Sequence, residues 1–108
     1  MGEHYVLNDD HSVREAGLEE WAVMFGDMSK RSVARDEMTG TTISTVFLGL
    51  DHSFGEGPPL IFETLIFGGP HDQEMWRYST WDEAVEGHRR AVELAASADT
   101  LPKGGDTK

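Results

Sequence analysis

The sequence predicts a single α+β domain: an antiparallel sheet of about four strands, with a short N-terminal helix and a longer C-terminal helix packed on it. Three features carry that prediction. Residues 41–50 and 60–67 are two runs rich in β-branched and aromatic side chains, bounded by Gly or Pro, as strands inside a sheet are. Helical periodicity is confined to residues 18–28, before these runs, and to the stretch after Thr80, behind them. Strands that follow one another without intervening helices pair antiparallel, because parallel neighbours need a long crossover between them. A chain of 108 residues has room for one modest core.

Residues 1–17 show no sustained period and hold the turn-like cluster Asn8-Asp9-Asp10-His11-Ser12, so they read as an irregular lead-in. In residues 18–28, Leu18, Trp21, Ala22, Phe25 and Met28 recur at spacings of three and four, a stripe that docks the first helix through Trp21 and Phe25. Glu19 and Glu20 suit its first turn, and Gly26 is a natural stop. Residues 30–38, the turn Thr39-Gly40 and residues 41–50 form a hairpin. In its second strand Ile43, Thr45 and Phe47 face one way while Ser44, Val46 and Leu48 face the other. Apolar residues on both faces make this strand central and covered, at least in part, on each side.

Residues 51–59 form a loop in which Gly55, Gly57, Pro58 and Pro59 exclude regular structure. A third strand, residues 60–67, carries one carboxylate, Glu63, and ends at Gly68-Gly69-Pro70. Residues 75–78 make a fourth, edge strand, with Trp76 and Tyr78 on one face and Arg77 on the other. Thr80-Trp81-Asp82-Glu83 is a capping box. The helix it opens places Trp81, Ala84, Val85, His88, Ala91, Val92 and Ala95 on one stripe. The folded domain so defined covers residues 18–96, and residues 97–108, rich in Gly, Pro and polar side chains, read as a disordered tail.

Nine basic residues against 20 acidic ones give a net charge of −11, which repels phosphate backbones and anionic lipid and argues against direct nucleic-acid or membrane binding. It suits a basic partner, including a protein that itself binds nucleic acid. With no cysteine, thiolate chemistry and disulfides are excluded, and the polar, acidic N-terminus lacks the pattern of a secretory signal. Both fit the cytoplasm.

His52, Glu63 and His88 would form a His/His/carboxylate set of the kind that holds zinc or iron, if the last helix covers the face to which Glu63 points. The plainer reading is a buried His88 bonded to Glu63 or a strand carbonyl, since an unpaired polar group in a core costs about 1 to 3 kcal/mol. No metal or cofactor is therefore assigned. Asp51 and His52 invite an acid/base pairing, against which Asp51 can simply cap the loop through backbone amides. With Glu56, these residues make up the candidate ligand and loop site: Asp51, His52, Glu56, Glu63 and His88. The Gly-rich pieces match no phosphate-binding motif, and no nucleophile stands in a catalytic context. Trp76, Arg77, Tyr78 and Trp81 cluster within six residues and are the candidate partner-binding surface, for another protein or for a second copy of the chain, the equal alternative for the aromatic rings being core packing under the last helix.

The segments STVFLGLDHSFGEGPPLIFETLIFGG, RYST and EAVEGHRRAV resemble a family of small uncharacterised proteins of tailed bacteriophages and prophages. In that family a similar S-T-V-(F/W)-L-G-L-D-H strand precedes a Gly/Pro loop, an F-E-T strand, an R-Y-x-T turn and a helix containing G-H. The resemblance spans residues 41–92 and implies a phage origin and a setting inside the infected bacterium, with no catalytic residues to carry over. Together these readings lead to an expected function: a non-enzymatic accessory protein that binds and modulates a host protein, one form being an inhibitor of antiviral defence. The alternatives are a protein that sequesters a small molecule or nucleotide, and a small metal-dependent enzyme using His52, Glu63 and His88.

Overall fold

A computed structural model describes residues 4–51 and 57–100. Its α+β architecture is a four-stranded antiparallel sheet, a separate two-stranded hairpin, two short helices and a long C-terminal helix. The hairpin is β1 (Tyr5–Leu7) with β2 (Val13–Glu15), followed by α1 (Leu18–Phe25) and α2 (Met28–Arg31). The main sheet runs in sequence order through β3 (Ser32–Met38), β4 (Thr41–Phe47), β5 (Phe62–Phe67) and β6 (Met75–Tyr78), and α3 (Trp81–Thr100) closes the fold.

The turn Thr39-Gly40 pairs Met38 with Thr41 and sets the hairpin register, with Gly40 at φ 76°, a conformation that glycine adopts without a Cβ penalty. That register puts Asp36 opposite Ile43, which is in turn opposite Ile66. Every second residue of β4 is buried, Thr41, Ile43, Thr45 and Phe47, and α3 lies on this face. The helix approaches closely because the residues it presents are small: Ala84, Ala91 and Ala95 are buried beside His88. Ile43 and Ile66 pack with Ala91 and Ala95, while Phe47, Ile61 and Phe62 pack with Ala84.

Among the described residues no helix lies on the opposite face of the sheet. Ser44, Val46, Glu63 and Leu65 are half-buried there, and Phe67 and Met75 are exposed. The expectation that β4 is covered at least in part on each side holds unequally: one face is buried under α3, and the residues of the other are half-buried. Residues 4–17 are more regular than an irregular lead-in. The Asn8–Ser12 cluster is the turn of a hairpin, with Arg14 bonded to Asn8 and paired with Glu20. The predicted first helix breaks in two at Gly26-Asp27, where Asp27 caps α2 by accepting from the Ser29 amide. Its docking residues are Trp21 and Met24, whereas Leu18, Phe25 and Met28 are exposed. Trp21 donates to the Leu48 carbonyl across Gly49, whose φ of 75° and contact with the indole leave no room for a side chain.

The capping box forms as predicted: the Glu83 amide donates to Thr80 Oγ1 at 3.1 Å, and the Ser79 and Thr80 amides donate to the Glu83 carboxylate. Beyond it α3 carries on through residues 97–100, four residues into the stretch read as tail, because Ser97-Ala98-Asp99-Thr100 contains neither Gly nor Pro. Val85, placed on the buried stripe by periodicity, is instead 46% exposed.

Candidate functional site

His88 stands at the centre of a hydrogen-bonded chain that crosses the core beneath α3. Its ring nitrogens are bound on both sides, Nε2 to Asp36 Oδ2 at 2.7 Å and Nδ1 to Thr45 Oγ1 at 2.7 Å. Thr45 lies 2.5 Å from Thr64 Oγ1, to which the Tyr78 hydroxyl donates at 3.2 Å. Each strand contributes one member, β3 to β6 in order, Thr45 and Thr64 directly opposite each other and Asp36 and Tyr78 each two residues along from that row, and the helix supplies the imidazole. The donors can be ordered from the acidic end. A carboxylate only accepts, so Nε2–H donates to Asp36. With a neutral imidazole, Nδ1 accepts from Thr45, Thr45 from Thr64, and Thr64 from Tyr78. Every hydroxyl in the buried part gives one bond and takes one, so no polar group there is orphaned.

This chain has the residue order of an Asp-His-hydroxyl triad, yet Thr45 and Thr64 are fully buried and only the ends reach the surface. Asp36 is more than half exposed on the β3 side. At the other end the Tyr78 ring sits against α3 at Gly87, where an added Cβ would come 2.1 Å from the phenol oxygen. Burial raises the Tyr78 phenol above the usual tyrosine range, the Thr64 bond and nearby Arg90 acting in the opposite direction.

Tyr78 also marks the wall of an open groove of about 1340 Å³ between β6 and α3. Trp76 and Leu60 give it apolar lining, and Asp82, Glu86 and Arg90 line it from the helix. Arg89 and Arg90 both bind the Glu86 carboxylate and lower its pKa to about 2, while Arg89 is itself raised, chiefly by Glu86.

The predicted site residues are thus distributed rather than gathered. Glu63 points to the open face and pairs with Arg77 at 3.2 Å, so the sequence-based pairing of His88 with Glu63 is replaced by the pairing with Asp36. Asp51 acts as the loop cap, accepting from the Leu60 amide at 3.0 Å. His52 and Glu56 lie outside the described residues. Among the described residues no group of three or more His, Asp or Glu side chains could hold a metal ion. The aromatic cluster divides: Trp76 and Tyr78 line the groove, whereas Trp81 turns toward the N-terminal hairpin, stacked on His11 at 3.6 Å and edge-on to Phe62.

Asp36 and the two threonines were not singled out from the sequence. The hairpin register held a signal for Asp36, because a two-residue Thr39-Gly40 loop places it on the Ile43 face. No helix of the described residues is long and apolar enough to cross a membrane. No protein-family model, curated protein or solved structure matches the chain.

Proposed function

We propose that this chain is a small acidic, phage-type accessory protein that binds and modulates a host protein without catalysing a reaction, its setting the cytoplasm of the infected bacterium. Inhibition of a defence protein is one form of this. The observation that supports it best is the β6–α3 groove, which exposes Trp76 beside Leu60 and Tyr78 on a rigid sheet-and-helix frame. Aromatic anchors on rigid elements lose little entropy on binding and are the usual energetic centres of protein interfaces. The charge of −11 favours a basic partner, with faster association at low salt.

A test uses wild-type and Trp76→Ala chains as baits in lysate of a bacterial host at moderate salt. The expected result is a protein held by the wild type and lost with the variant. Retention of nothing, or equal retention by both, would count against the reading.

A small-molecule reading keeps one observation in its favour: Gly57 and Pro58 line the groove together with the last helix, and Arg77 and Arg90 border it. Each of those arginines, however, already has a carboxylate partner, Glu63 and Glu86 respectively. The groove is also larger and more open than the roughly 300 to 1,000 Å³ typical of small-ligand sites. A thermal-shift screen against nucleotides and metabolites separates the two, since a ligand at 100 times its Kd adds about 2.7 kcal/mol of stability.

A further inference from the structure

We propose that the outer edge of β6 accepts an extended, basic segment of a partner protein as a fifth strand of the sheet, an inference that rests on the binding function above and names the chemistry of the partner. The two edges of the sheet are built differently. β3 carries Arg35, Asp36 and Glu37 in succession, and its pairing is irregular between Ser32 and Ala34, the devices by which edge strands are kept from adding further strands. β6 reads Met75-Trp76-Arg77-Tyr78, with its one charge, Arg77, paired inward to Glu63 of β5 and with no proline or register shift, and among the described residues it pairs with β5 alone. Its backbone is therefore the open template of the fold.

What flanks that edge suits an incoming strand on both faces. Side chains of an added strand would alternate between the α3 groove and the open face of the sheet. On the groove side they meet the exposed Trp76 and the Asp82 carboxylate, Glu86 being already bound by Arg89 and Arg90, and these favour apolar stems ending in positive charge. On the other side they meet Met75 and Phe67, both 45% exposed, and Arg77, whose charge is paired with Glu63, a surface that favours apolar residues. A second copy of this chain is the obvious competitor for an open edge. Two molecules each carrying −11 repel one another, so the complementary occupant is foreign and basic.

The test titrates an end-capped octapeptide of alternating lysine and valine into the full chain at low salt and follows backbone amides by NMR. Three results are expected: shifts and slowed exchange centred on Met75–Tyr78, affinity at least tenfold weaker for a peptide N-methylated at alternate residues, and no binding of the glutamate–valine counterpart. Trp76→Ala should weaken binding severalfold. Equal affinity for the N-methylated peptide, shifts on β3 instead of β6, or a peptide-free dimer protected along β6 would each overturn the proposal. If the lysine–valine peptide fails while a host protein is still captured in a Trp76-dependent way, strand addition is wrong and the binding function stands. If both fail, both fall.

Discussion

His88 shows how one residue can be read correctly in kind and wrongly in partner. A histidine on the apolar stripe of a helix had to be bonded, and it is, but to Asp36 and Thr45 in place of Glu63. The strand around Glu63 alternates apolar residues on both faces, so its own sequence could not decide which way the carboxylate points; the shorter hairpin loop could have decided it for Asp36. The chain's serial order has an energetic consequence. His88→Ala leaves a cavity and takes from Thr45 one of its two hydrogen bonds, and should cost about 2 to 4 kcal/mol. Thr45→Val keeps the volume but strands the imidazole and Thr64, for about 1 to 3 kcal/mol. Because each removes bonds the other relies on, the double variant should lose less than the sum, by about 0.5 kcal/mol or more in urea unfolding. Strict additivity would mean the hydroxyls do not act as one chain. Glu63→Gln, by contrast, removes a partly exposed pair with Arg77 and should cost under about 1 kcal/mol.

At the scale of elements, the signals that carried were those with a mechanism attached. The Thr80 capping box, the Thr39-Gly40 turn and the alternation of β4 each name atoms that must meet, and each is found. The failures were of length and weight. Strands of three residues, Tyr5–Leu7 and Val13–Glu15, are too short to establish a period of two, so only their turn was visible. The α1 stripe was real as a pattern, yet Asp27 offers a second cap that splits the segment and turns Phe25 and Met28 outward. Helix α3 holds a further test in Gly87. A glycine inside a helix usually costs about 0.5 to 1 kcal/mol relative to alanine, so Gly87→Ala would ordinarily stabilise. Here the new methyl would lie 2.1 to 2.4 Å from the Tyr78 oxygen and ring carbons. The ring must move and its bond to Thr64 must break. We expect the melting temperature to fall, and to recover when Tyr78→Ala is made in the same chain. A rise in the single variant would show that Tyr78 is not seated on the helix.

For the molecule as a whole, the sequence made the sheet and the long helix legible but not the side on which the helix lies, because residues 41–50 and 60–67 offer apolar side chains to both faces. The structure resolves this through size: the Ile43–Thr45–Phe47 face matches the alanines of α3, leaving the Val46–Leu65 face without a helix among the described residues. One layer of helix on one face then sets an uneven distribution of stability. Helix α3 buries Ala84, His88, Ala91 and Ala95 against β4 and β5, so those elements can open only when the core is lost. Helix α1 has no buried residue, with Leu18 62% and Val23 75% exposed, and is held by Trp21 and Met24, by the Glu20 pair with Arg14 and by the contact of Phe25 with Arg31. Its opening exposes little new apolar surface and leaves the sheet intact. Native-state hydrogen exchange should therefore divide the chain. Amides of β4, β5 and residues 88–95 should exchange through global unfolding. Those of α1 and α2 should exchange on the order of a hundredfold faster or more, equivalent to about 2.7 kcal/mol of opening free energy, with little dependence on denaturant. Weakening the Trp21 anchor with Trp21→Leu should accelerate exchange in α1 and α2 and leave residues 88–95 nearly unchanged. Protection in α1 equal to that of β4 would show instead that the N-terminal helices are an integral part of the core.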